Sequence, residues 1–176
     1  MPVKIILMGR CCRIVYDMIK LKYKEKTSLF DWTWTDTLTE INTILTKIVN
    51  KEDVTISFRD GNHFLDGTNI KTSHYVNIDY KTIFNRRAER FLDDIKNNDK
   101  ILFIRDDALE TIKQEEIYIF NSLIEKINPK LKYNMLLLSK EINEQIICDN
   151  FTHKLYNFSL YPQYINECCD DLEKYN

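Results

Sequence analysis

The chain has 176 residues, with 25 lysines and arginines against 27 aspartates and glutamates and a formal net charge of −2. That length fits a single domain spanning 1–176, and the balanced charge exerts no overall pull toward nucleic acid or an anionic membrane. The three glycines, Gly9, Gly61 and Gly67, leave no room for a Gly-rich phosphate loop, so no nucleotide cofactor is expected.

No apolar run approaches the ~20 residues that cross a bilayer, and the apolar stretch before Arg10 and Arg13 is too short for a signal peptide. The five cysteines are Cys11, Cys12, Cys148, Cys168 and Cys169. An odd count, with two vicinal pairs and Cys148 apart, predicts reduced thiols and a cytoplasmic setting. Vicinal cysteines diverge and no Cys-x-x-Cys occurs, so no metal site is expected.

In chain order, Val3 to Met8 reads as a buried strand ending at Gly9. Cys11 to Lys22 has the helical period, as does Leu38 to Val49, with Thr35 or Asp36 as its expected cap. Val54 to Phe58 alternates like a half-buried strand. The Asp60-Gly61-Asn62 turn follows, then an irregular segment to about Ile78. Asp79 to Asn97 is the clearest amphipathic helix. Ile101 to Ile104 and Asn134 to Leu138 read as buried strands around a helix at Glu115 to Ile127. Lys140 to Ile147 reads as a helix, Lys154 to Leu160 as a strand, and Pro162 opens a short terminal helix. Strands and helices in alternation predict a three-layer α/β domain with a mainly parallel sheet flanked by helices.

Three places carry chemistry. Gly9-Arg10-Cys11-Cys12 lies where the first strand passes into a helix, the position at which open α/β sheets place ligands. A thiol in a first helical turn sees unpaired N–H groups that favour thiolate, and Arg10 and Arg13 act in the same direction. The same thiols also suit burial as small apolar residues. Phe30-Asp31-Trp32-Thr33-Trp34 sets one carboxylate among aromatics, either as a pocket or as a plug of buried rings. His74, in an irregular segment, can face a thiol as a general base; His63 and His153 compete for that role. Arg86, Arg87 and Arg90 are most simply a solvated helix face, but Arg87 or Arg90 turned inward would suit an anion or carboxylate.

Leu7-Met8-Gly9-Arg10-Cys11-Cys12-Arg13 resembles a Ser-Leu-Gly-x-x-Cys-Arg opening, and Ser28-Leu29-Phe30-Asp31-Trp32 resembles Pro-Phe-Asp-Trp. With His74, then Arg86-Arg87-Ala88-Glu89-Arg90-Phe91 and Phe103-Ile104-Arg105, the order is similar to that of a family of papain-like cysteine peptidases in bacteria and large DNA viruses, over about residues 4 to 107. Leu7, Met8 and Leu29 depart from its Ser, Leu and Pro. The resemblance implies catalytic Cys12, His74 and Asp31, and a papain-like α+β fold as the alternative architecture.

The expectation is a cysteine-dependent hydrolase, peptidase, esterase or acyltransferase in type. Cys12 attacks an acyl carbon, His74 shuttles the proton, and Asp31 or Asp106 orients the imidazole. The substrate is an acyl, peptide or ester group. The alternative is an inactive binding or structural protein, such as a virion or assembly component, working through protein partners in a host cytoplasm or virion.

Overall fold

A computed structural model describes residues 3–10, 12–23, 26–75, 78–106, 112–140, 148–155 and 157–174. The elements run β1 (Lys4–Leu7), α1 (Cys12–Lys20), α2 (Leu38–Val49), β2 (Ile56–Arg59), β3 (Asn62–Leu65), β4 (Lys71–Thr72), α3 (Tyr80–Asn97), β5 (Lys100–Asp106), α4 (Gln114–Ile127), β6 (Lys132–Ser139), β7 (Phe151–Leu155) and α5 (Tyr161–Lys174), with a 3-10 turn at Phe158–Leu160.

Four strands form one parallel sheet in the order β1-β5-β6-β7, and β2-β3-β4 form a small antiparallel sheet inserted between α2 and α3. This is the mixed α/β organisation that strand–helix alternation predicts. Pairing of Leu7 with Ile104 and of Asp106 with Leu138 brings the carboxyl ends of β1, β5 and β6 to one edge.

Successive strand residues point to opposite faces, and the core divides accordingly. Ile6, Met8, Ile101, Phe103, Met135 and Leu137 join side chains of α2, α3 and α4 in one apolar cluster. Leu7, Leu102, Ile104, Leu136 and Leu138 join those of α1 and α5 in the other. Within the first cluster Phe103 meets Phe120 edge-on, with centroids 5.1 Å apart.

Helix starts follow local chemistry. Thr37, rather than Thr35 or Asp36, caps α2: its hydroxyl accepts Glu40 N–H while Glu40 reaches back to the Thr37 N–H. Thr35 is unavailable because it is buried, with its Oγ1 accepting from Arg105. Asp79 caps α3 through Thr82 N–H. The segment to Ile78 that reads as irregular holds β3 and β4. The final helix is longer than expected, and Pro162 sits in its first turn, where a missing N–H is tolerated. The expected strand at Lys154 to Leu160 is instead β7 followed by the 3-10 turn. The helix expected at Lys140 to Ile147 falls mostly outside the described residues. No helix among the described residues is long and apolar enough to cross a membrane.

Candidate functional site

The turn between β1 and α1 is unusual backbone. Gly9 has φ +73 and Arg10 φ +114, a region that non-glycine residues enter only at a cost of about 1–3 kcal/mol. The turn is held by Thr35 N–H donating to the Arg10 carbonyl and by Arg105, whose Nη1 donates to both the Met8 carbonyl and Thr35 Oγ1. Arg105 is fully buried at the end of β5. It thereby ties the carboxyl ends of β1 and β5 to the loop at 28–37.

This turn delivers Cys12 as the first residue of α1, half-buried, at the helix end where backbone N–H groups lack intrahelical partners. No acidic residue occupies the first turn to offset that positive end. Cys11 lies outside the described residues.

His74 follows β4 and is exposed. Its Nε2 lies 2.9 Å from Cys12 Sγ, across 62 residues of chain. The imidazole packs on Trp32 (centroids 5.1 Å), and Trp32 meets Tyr16 edge-on at 4.8 Å. Tyr16 is one helical turn beyond Cys12, so thiol, imidazole and two aromatic rings form one surface. Trp32 has φ +63, a second strained residue beside the pair. Thr72 fixes both sides: its hydroxyl donates to the Trp32 carbonyl and accepts from His74 N–H.

Asp31 is fully buried at the base of this loop. Its Oδ2 accepts Ser28 N–H at 2.6 Å, closing the loop, and its carbonyl accepts Arg87 Nη1 at 3.0 Å. It directly precedes Trp32, the ring against which His74 rests. Asp106 is buried at the end of β5, on the strand face of Leu102 and Ile104. The competing histidines are engaged elsewhere: His63 Nε2 donates to the Tyr75 carbonyl, and His153 Nε2 pairs with Ser139 Oγ.

Arg87 turns inward and is 4% exposed. Besides the Asp31 carbonyl it donates through Nη2 to Tyr75 OH, its guanidinium lying over the Tyr75 ring at 5.0 Å. One side chain therefore clamps the neighbour of Trp32 to the neighbour of His74. The helical pattern shows only that one of these arginines falls near the apolar face; the clamp depends on a loop no periodicity describes. Arg87→Met removes two charge-assisted bonds from a buried place, and the expected loss is about 2–4 kcal/mol, read by denaturant unfolding.

Burial pushes the Cys168 thiol up, and burial next to Cys168 pushes Cys169 up to about 11. Among the described residues no cluster of His, Cys, Asp and Glu is arranged to hold a metal ion. No family model, curated protein or solved structure matches this chain.

Proposed function

We propose that the protein is a cysteine-dependent acyl-transfer enzyme, a hydrolase of peptide or ester type, built on a three-layer α/β domain in a reducing, cytoplasmic compartment. The observation that carries this reading is the 2.9 Å approach of Cys12 Sγ to His74 Nε2 at the start of a helix. Parallel pairing of the large sheet and apolar clusters on its alternate faces favour the three-layer architecture over the papain-like alternative.

Chemically, the imidazole takes the thiol proton, and the helix end and the imidazolium stabilise the thiolate. The thiolate adds to the acyl carbon and the leaving group departs with the proton from His74. Water, deprotonated by His74, then cleaves the thioester and restores the thiol. In this reading the oxyanion is received by backbone N–H groups of the first turn of α1. The Trp32 ring, the Thr72 hydroxyl and the Arg87 clamp keep the imidazole in place between turnovers.

Alkylation by iodoacetamide tests the thiolate directly. At pH 6.5, Cys12 is expected to react at least about 100-fold faster than Cys148, Cys168 or Cys169, located by peptide mass mapping. Cys169 is expected to respond slowly at that pH. Because its proton is held to about 11 in the folded chain and to 9.0 as the ordinary value, its reactivity rises with alkali. Folding is correspondingly less favoured as pH climbs between those values. Equal, slow alkylation of Cys12 and Cys148 would overturn the reading.

A further inference from the structure

The Arg10 carbonyl helps to hold the turn, but the residue's side chain stands apart from that hold. Its side chain is 5% exposed, and its Nη1 is buried with no hydrogen-bond partner. No carboxylate lies within ion-pair distance of it among the described residues. The guanidinium lies over the Trp34 ring, 5.6 Å from its centroid, and Trp34 is 43% exposed. The nearby Asp36 carboxylate is used by Trp34, whose Nε1 donates to it at 2.6 Å.

A buried guanidinium with an idle donor carries a desolvation penalty that a hydrogen-bonded anion removes. The backbone here adds strain as well, with φ +114 at the same residue. Both costs fall on a single position, and strained residues cluster where ligands are held.

Two separate connections place Arg10 beside the dyad. Along the chain it is two residues from Cys12, at most about 7 Å between Cα atoms. Across the fold its guanidinium rests on Trp34, two residues from the Trp32 ring that supports His74. The start of α1, with no acidic residue in its first turn, adds positive potential of the same sign. Arg13, by contrast, is largely exposed and lies 3.9 Å from Asp17.

We propose that Arg10 is the recognition site for a carboxylate on the substrate, so that the enzyme selects acyl groups bearing an acidic function close to the scissile bond. This rests on the acyl-transfer reading above and adds a substrate class to it. The carboxylate completes the idle guanidinium donor, and Trp34 covers the pair with an apolar face that strengthens the contact by excluding water.

Paired alkylation of the whole protein separates the two ideas. The Cys12 thiolate displaces iodide from neutral iodoacetamide or from anionic iodoacetate, forming the same carbon–sulfur bond. The iodoacetate-to-iodoacetamide rate ratio at Cys12 is expected to exceed that of glutathione, at the same pH and salt, by about tenfold. In Arg10→Gln the ratio is expected to return to the glutathione value, whatever the lost charge does to the iodoacetamide rate, because the thiolate fraction is common to both reagents and cancels. Arg10→Lys, which keeps the charge, is expected to retain part of the preference. A wild-type ratio equal to that of glutathione, or one unchanged in Arg10→Gln, overturns the role of Arg10 and leaves acyl transfer standing. Slow reaction with iodoacetamide itself overturns both.

Discussion

Cys12→Ala is expected to abolish hydrolysis of an activated ester such as 4-nitrophenyl acetate, and His74→Asn to lower kcat/KM by about 10²–10⁴. The two substitutions differ in what remains. Without Cys12 no acyl-enzyme forms, so the initial burst of nitrophenol disappears. Without His74 the sulfur is still present at the start of α1, but the imidazole 2.9 Å from it is gone. Alkylation of Cys12 should then rise with pH as for an ordinary thiol, near 8.5, instead of persisting in mild acid. Asparagine preserves much of the shape against Trp32, so the folded state survives and the change reports on proton transfer. An unaltered pH profile in His74→Asn would show that the imidazole does not govern the sulfur.

Gly9→Ala is expected to destabilise the fold by about 2–4 kcal/mol, and the cause is local geometry. Its φ of +73 costs an alanine about 1–2 kcal/mol. An added Cβ would also lie 2.9 Å from Thr35 Oγ1 and 3.1 Å from Thr35 Cγ2. That hydroxyl cannot retreat freely, because it accepts from Arg105, which in turn holds the Met8 carbonyl. Truncating the obstacle in Gly9→Ala/Thr35→Ala should recover the steric share, seen as a non-additive midpoint shift in a double-mutant cycle. By contrast, Gly61 has open space around it, so there an alanine meets only the φ penalty.

That Cys12 and His74 are residues of interest was more legible in the sequence than what surrounds them. Gly9 before Cys12 marks a strand-to-helix junction, and the apolar runs of β1, β5 and β6 read directly because both faces are buried. The long helices follow from their 3.6-residue period. The alternation of Val54 to Phe58 announces β2, whereas β3 and β4 left little trace because they are only four and two residues long. The sheet they form nevertheless carries His74. Likewise β7 lies at the edge with Thr152, His153 and Lys154 in its middle, a composition that does not announce a strand. Asp31 was readable as a residue of interest but not by role. Its sequence neighbours are aromatic in either reading, and only the folded loop shows its carboxylate closing on Ser28 and its carbonyl receiving Arg87.

The sulfur and the imidazole are carried by different cores. Helix α1 packs through Ile14, Val15 and Met18 into one apolar cluster, whereas the segment bearing His74 is flanked by Ile70, Tyr75 and Tyr80 of the other. The thiol and the imidazole therefore meet between side chains of both clusters, with Trp32, on which His74 packs, lying against the cluster of α1. A shift of α1 against the segment bearing His74 is expected to change the 2.9 Å sulfur–nitrogen gap before either cluster melts. Reactivity at Cys12 is therefore a finer gauge of the alignment of the two halves than any measure of their stability.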